Sequence, residues 1–385
     1  MKLSPFRMLC AAGLLAILSS TMSKNPVLPL FAAHLGAGPQ GIGLVGAVSP
    51  LAGVLISIPG GLLSDAFGRR RMLAASALVF ASAPFAYLLV DGVWGLALAR
   101  FYHGLATGIF LPVAMAAVAD AHQSDRGEKM GAFSSATLAG RFVAPLLGGL
   151  ALGLGFDAVY VLCGLAGVGV FLISWRLPAL EEKTPHKERP PLLQSLRETL
   201  ASRSILAGCA LEAGILFAYG IFETFLPLVS LERGNPAWVT GALFSAQVLA
   251  VALTKPFFGR LSDRAGRTGQ MLTGAALLAA CCAAVPWVKG LTGLAVLAVG
   301  LGLALSVATA ASQAFVADAS KREHRGAAMG LLGSIMDIGH STGPLLGGMA
   351  AALAGSAGAF ALGGAVLAAC AAGVFRATRN PRPAP

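Results

Sequence analysis

Eight ionisable side chains stand inside apolar runs: Lys24, Arg100, Arg141, Glu212, Glu223, Lys255, Asp337 and His340. A charge at helix-centre depth in a bilayer costs roughly 2.5–3.5 kcal/mol on insertion scales, so each of these must face protein or water. Lys24, Glu223 and Lys255 fall toward the ends of their runs. The neutral form of a carboxyl is favoured in a dry cavity, and hydration or a nearby cation restores the anion. An acid that alternates between such environments therefore takes up and releases a proton. Asp337 is the first candidate for that chemistry, because it shares a segment with His340; Glu212 and Glu223 follow, and Arg100 is the cation that modulates them. Glu212 and Glu223 are eleven positions apart. At 100° per residue they fall within about 20° of one helix face, about 16 Å apart along it, and are expected to line one path. The alternative is that Asp337 is held in a permanent ion pair with Arg141 or Arg100.

The elements that position these groups follow from composition. Of 385 residues, 56% are hydrophobic and 12% charged, and the mean hydropathy is +0.76. That excludes an ordinary water-soluble globule. Apolar runs predict twelve helices near 6–33, 42–64, 72–90, 93–119, 130–153, 156–177, 203–230, 238–261, 270–288, 291–317, 327–352 and 356–376. The one extended polar stretch divides the chain into 1–178, a linker at 179–202, and 203–385. The formal charge of +11 carries no stripe of cations interleaved with aromatics, so nucleic acid is not a partner. With the helices numbered alternately in and out, 22 of the 28 Lys and Arg fall on the side of both termini and the linker, and two, Arg233 and Lys289, on the other. The positive-inside rule then makes the termini and linker cytoplasmic and the chain a multi-pass protein of the cell membrane. The six cysteines lie in or beside apolar runs without C-x-x-C spacing, and no disulfide or metal role is assigned to them.

The two halves repeat. Leu28-Pro29-Leu30, Ser64-Asp65 and Val118-Ala119-Asp120 return at an offset of 198 as Leu226-Pro227-Leu228, Ser262-Asp263 and Val316-Ala317-Asp318. Pro145-Leu146-Leu147-Gly148-Gly149 returns at 199 as Pro344-Leu345-Leu346-Gly347-Gly348. Two parallel six-helix repeats place a cavity at their interface near the bilayer midplane, the geometry of alternating access. Arg141 and His340 occupy equivalent positions and are candidates to line that cavity with Asn25, Tyr219 and Phe222. For His340 the competing role is a hydrogen-bonded helix contact; for the aromatics it is packing against lipid or neighbouring helices.

Between the second and third helices stands Gly61-Leu62-Leu63-Ser64-Asp65-Ala66-Phe67-Gly68-Arg69-Arg70-Arg71, and between the eighth and ninth Gly259-Arg260-Leu261-Ser262-Asp263-Arg264-Ala265-Gly266-Arg267. Both resemble the G-x-L-a-D-r-x-G-r-[kr] signature of the major facilitator superfamily, with Ala66 where the pattern has a basic residue. In the fifth helix Gly140, Pro145, Gly148 and Gly149 resemble the G-x-x-x-G-P-x-x-G-G motif of the antiporter branches, with Ala144 for the second glycine. The eleventh helix repeats the pattern through Gly339, Gly343, Pro344 and Gly347. Positions four apart share a helix face, where small side chains permit close backbone packing. Pro26-Val27-Leu28-Pro29 near the outer end of the first helix resembles the P-x-x-P of drug-efflux members and is expected to break the helix where the cavity mouth should lie, and Arg100 with Gly104 resembles the R-x-x-x-G linked to proton coupling.

The resemblance implies an all-α membrane protein of the major facilitator fold: twelve transmembrane helices in two pseudo-symmetric bundles. It further implies a conformational latch of Gly61, Asp65, Gly68, Arg69 and Asp120 with Gly259, Asp263, Gly266 and Arg267, in which Asp65 engages the start of the eleventh helix. The function expected is proton-coupled efflux of small hydrophobic compounds. A transporter of a polar metabolite such as a sugar, amino acid or organic anion is the alternative. The expected partners are a small-molecule substrate, protons and lipid, and the chain is expected to be monomeric. The proton gradient would be the energy source without a cofactor. No H-E-x-x-H, nucleophile elbow or P-loop points to an enzyme.

Overall fold

The computed structural model describes residues 4–122, 124–178, 192–321 and 324–379, and every regular element among them is helical. The elements are α1 (Pro5–Met22), α2 (Val27–His34), α3 (Pro39–Phe67), α4 (Arg69–Ala86), α5 (Val93–Ala121), α6 (Arg126–Ala151), α7 (Phe156–Trp175), α8 (Leu192–Ala201), α9 (Arg203–Glu232), α10 (Ala237–Ala265), α11 (Arg267–Ala284), α12 (Gly290–Ala319) and α13 (Arg325–Arg379). Their ends follow local chemistry. Ser4 caps α1, its Oγ accepting from the Arg7 amide at 3.4 Å, and Pro5 fills the first turn, where an amide hydrogen has no use. The α3–α4 and α10–α11 turns are single glycines, Gly68 and Gly266, with the same backbone angles of φ 94° and ψ 141°. A side chain at that φ would be strained.

The structure refines the predicted elements at three places. The break expected at the Pro26–Pro29 element divides the first span, 6–33, into α1 and α2, because Pro26 supplies no amide hydrogen to the ladder and disfavours helical backbone in the residue before it. Part of the expected linker is the helix α8, whereas 179–191 lie outside the described residues. The eleventh and twelfth helices run together as α13 but bend at Ala354 and Gly355, the latter at φ 68°.

Ten helical runs among the described residues are long and apolar enough to cross a membrane, with α1 and α2 forming one of them and α13 another. Dividing α13 at its bend and adding the shorter α11 gives twelve membrane helices. Large apolar side chains point outward along them, Leu353 and Leu89 being 91% and 86% exposed and Trp94 and Trp287 nearly as much. Such a surface is an aggregation hazard in water and the proper one against lipid. The chain is a multi-pass integral membrane protein.

Two compact units form. One gathers residues 1–186 with 230–245, the other 187–229 with 246–385. In the first, α3 packs on α5, α4 on α7 and α1 on α6, around a core that includes Leu9, Ala16, Leu73 and an edge-to-face pair, Phe80 and Phe110, with ring centres 5.8 Å apart. The α1–α6 contact depends on glycine. A β-carbon on Gly140 would come within 2.6 Å of the Leu14 carbonyl oxygen, and one on Gly148 within 2.9 Å of that of Met22. Further along α6, Gly149 faces Ala237 and Trp238, while Gly241 faces Pro145 and the Ser245 hydroxyl donates to the Phe142 carbonyl at 2.6 Å. The start of α10 thus belongs with α6.

In the second unit, α9 takes the place that α1 holds in the first. Gly339 and Gly343 of α13 meet the backbone of Ala213 and Phe217, and a β-carbon on Gly347 would lie 2.8 Å from Ile221 Cγ1. Without water to squeeze out, helix association in lipid comes from this close van der Waals contact. The α8 helix is tied to the α12–α13 connection by Glu198, whose Oε2 accepts from Lys321 Nζ and lies 3.0 Å from His324 Nε2. His324 Nδ1 lies 3.0 Å from the Ser195 hydroxyl, one turn before Glu198.

Replacing Gly343 by Ala is expected to cost about 1–3 kcal/mol through forced separation of α9 and α13. The same change at Gly330, which lies inside α13 with nothing within 4 Å of its β-position, should cost nothing and raise stability by up to about 1 kcal/mol through helix propensity. Thermal unfolding of the two variants in detergent compares them.

The Lys321 hydrogen bond holds the exposed Glu198 carboxyl below its ordinary value of 4.5. Because the folded pKa is the lower one, the stabilisation is complete above the ordinary value and is lost as pH falls through the depressed one. Hydrogen-exchange protection factors across α8, with the intrinsic exchange rate divided out, should therefore be high near neutrality and fall in acid, and Glu198→Gln should remove most of that pH dependence.

Candidate functional site

The two glycine turns organise matching polar clusters. At the first, Arg69 donates from Nη1 to the Ser64 hydroxyl at 2.6 Å and from Nε to Asp120 Oδ2 at 3.3 Å. At the second, Arg267 donates to the Ser262 hydroxyl at 2.6 Å and to Asp318 Oδ2 at 2.9 Å, and its Nη1 pairs with Asp263 Oδ1 at 2.7 Å. Each arginine thus bridges the end of one helix to the end of another, α3 to α5 and α10 to α12. The side chain of Asp65 lies outside the described ones, and with it the contact expected of that residue. Asp318 was named only as part of the repeat, although its offset of 198 from Asp120 already marked it as the second arginine's partner. Gly61 and Gly259 have open space at their β-positions.

The two glutamates of α9 sit in separate polar nests of the second unit. Glu212 is fully buried, and its Oε1 accepts from the Ser312 hydroxyl at 2.5 Å on α12. Gln313 and Lys255 also face the carboxyl, and Lys255 Nζ donates to Gln313 Oε1 at 3.4 Å. The cation comes from α10, so three helices meet at this acid. Glu223, three turns further on, pairs with His340 on α13, Oε2 to Nε2 at 2.7 Å. The Tyr219 ring lies beside that imidazole, centre to centre 5.9 Å. Eleven residues return α9 to the same side, where Glu212 meets α12 and α10 and Glu223 meets α13. Asp337 lies half-buried one turn before His340.

In the first unit Arg100 is 2% exposed, deep in α5. It donates from Nη1 to the Tyr87 hydroxyl at 3.4 Å, and the same hydroxyl lies 3.3 Å from His103 Nδ1. Tyr87 stacks on Tyr160 of α7 with ring centres 4.5 Å apart and planes 15° apart. Neither His103 nor the tyrosines were singled out from sequence, though His103 follows Arg100 by three residues and so had to share its face.

The remaining candidates divide by burial. Asn25 is buried at the α1–α2 break, and Phe222 is buried within the second unit, whereas Arg141 is exposed on α6. Its place between Gly140 and Pro145 turns Arg141 off the face that α1 covers. Lys24 is half-buried.

Comparison with known proteins bears on the whole chain. The chain is 24% identical over 345 residues to an uncharacterised MFS-type transporter, MJ1560, of Methanocaldococcus jannaschii, covering 86% of this chain and 87% of that one. It is 27% identical over 337 residues to the multidrug resistance protein MdtG of Escherichia coli, covering 84% and 82%. Among solved structures, the nucleoside transporter NupG superposes with a TM-score of 0.82 at 13% identity, covering 98% of this chain and all of that one; at that identity the likeness is one of fold. The family model for the Major Facilitator Superfamily matches residues 9–243 and 236–385. With its repeated glycine–arginine turns and twelve membrane helices, the chain belongs to the Major Facilitator Superfamily of transporters and is not an enzyme.

Proposed function

We propose that this transporter is a proton-driven exporter of small, largely hydrophobic compounds, and that Glu212 carries the proton. The observation that supports this most is the Glu212 nest: a fully buried carboxyl with a hydroxyl, an amide and an ammonium from two neighbouring helices around it. A single proton switches that group between charged and neutral. The Lys255 ammonium balances the charged form, and Ser312 and Gln313 offer hydrogen bonds to either form. Any rearrangement that withdraws Lys255 or admits water changes the proton affinity of the acid, which is the physical content of coupling. Glu223 and His340 form a second acid–base pair beside Tyr219 and are proposed to meet the substrate, with Asp337 one turn away as the other acid candidate. The hydrophobic substrate class is supported by the likeness to MdtG, described as a multidrug resistance protein, and by an apolar interior. Asp65, Arg69, Asp120, Asp263 and Arg267 are proposed as the latch that reports and limits the conformational change.

Two measurements test this reading. In proteoliposomes with an imposed pH gradient, Glu212→Gln should lower uphill transport of a lipophilic probe such as ethidium at least tenfold while leaving gradient-independent exchange within about twofold. Were Glu212→Gln to keep full pH-driven transport while Asp337→Asn abolished it, the proton would be assigned to Asp337. In a host lacking its own exporters, expression should raise resistance to lipophilic toxic compounds. Unchanged resistance across such a panel, with transport of a nucleoside or organic anion instead, would overturn the substrate class.

A further inference from the structure

The Arg100 cluster of the first unit poses a charge problem that the proposed export cycle does not use. The guanidinium is 2% exposed, and the one hydrogen bond it makes among the described residues goes to a neutral tyrosine. A buried charge normally persists only when paired or hydrogen-bonded throughout. The proton arrangement follows from what each group can do. Arginine only donates, so the Tyr87 oxygen accepts from Arg100 Nη1 and the Tyr87 hydrogen is left for His103 Nδ1. In the tautomer in which Nδ1 accepts that hydrogen, the imidazole hydrogen sits on Nε2.

Three buried donors then have no partner among the described residues: Arg100 Nε, His103 Nε2 and the Tyr160 hydroxyl. His103 is 1% exposed and Tyr160 fully buried. Tyr160 is stacked on Tyr87, within electrostatic reach of Arg100. A set consisting of one fixed positive charge and neutral donors selects against cations and suits an anion. Aromatic rings surround the cluster, Phe80 edge-on to His103 at 5.7 Å and Tyr87 stacked on Tyr160, and its donors are buried, so an occupant has to be small.

We infer that Arg100, His103, Tyr87 and Tyr160 form a buried binding site for a small monovalent inorganic anion of the halide class. The ion is a counter-charge that allows Arg100 to remain inside the first unit. It joins α5 to α7 and to the turn that follows α4, so its first effect is on the rigidity of that unit, independent of which acid carries the proton.

The test uses the full-length protein in detergent with potassium chloride, bromide or gluconate at constant ionic strength. Chloride and bromide should raise the unfolding temperature saturably by roughly 2–5 °C over gluconate. Tyr160→Phe, which removes one hydroxyl and keeps the stacked ring, should shift the halide midpoint to about tenfold higher concentration. Arg100→Met should abolish the dependence. If that variant does not fold, Tyr160→Phe alone decides the matter. Bromide-soaked crystals should give an anomalous peak among Arg100, His103 and Tyr160. Identical melting in all three salts would mean that water alone meets these donors and would overturn the inference. A halide effect unchanged in Tyr160→Phe and in any Arg100→Met that folds would place the ion elsewhere and overturn it equally. Failure of the proton reading at Glu212 would leave both readouts untouched.

Discussion

Hydrocarbon offers no water to a stray polar group, so each ionisable side chain inside a span must find its partners within the protein or face an aqueous space. That constraint accounts for the arrangement of the buried charges more directly than any single contact. Glu212 is surrounded by Ser312, Gln313 and Lys255, Glu223 is paired with His340, and Arg100 is hydrogen-bonded through Tyr87 to His103. Each nest draws its members from two or three helices. The charges therefore act as cross-links whose strength depends on helix position, and this makes them suitable as switches as well as structural ties.

Close approach of helices is the condition for those nests, and glycine supplies it. Gly140 and Gly148 bring α6 onto α1, and Gly339, Gly343 and Gly347 bring α13 onto α9. The two contacts are equivalent in the repeat. So are the turns at Gly68 and Gly266, which share φ and ψ and seat Arg69 and Arg267 on a serine hydroxyl at the same 2.6 Å. Local chemistry repeated at an offset of 198 residues has produced the same geometry twice. The side-chain nests do not follow the repeat: the residue equivalent to His340 is Arg141, which is exposed and makes no comparable pair with an acid in its unit among the described residues. Duplication preserved the frame, and the charged groups diverged within it.

Sequence reading recovered the helices well, since apolar runs of membrane length, glycine turns and cation placement are local signals. The break expected at the Pro26–Pro29 element lies between α1 and α2. The error at the linker has a local cause too. The α8 segment was merged into a polar linker although Leu192, Leu193, Leu196 and Leu200 recur at helical spacing. Of the candidate site, the charged members were identifiable by the expense of burying them. Their neutral partners were not: nothing in composition distinguishes Ser312 from the other serines, or Tyr87 and Tyr160 from aromatics that face lipid.

What the sequence by itself determined is the solvent and the frame: a chain too apolar for water, cut by glycines and arginines into two repeated sets of membrane helices, carrying a short list of costly charges. Only the tertiary structure decided how those charges are matched. Helical periodicity places Glu212 and Glu223 on one side of α9, but which residue stands opposite each depends on the crossing of neighbouring helices, and so on contacts between residues as far apart in the chain as 223 and 340. Pairing energy depends on distances of a few ångströms between such residues, and these are set by packing, not by spacing along the chain.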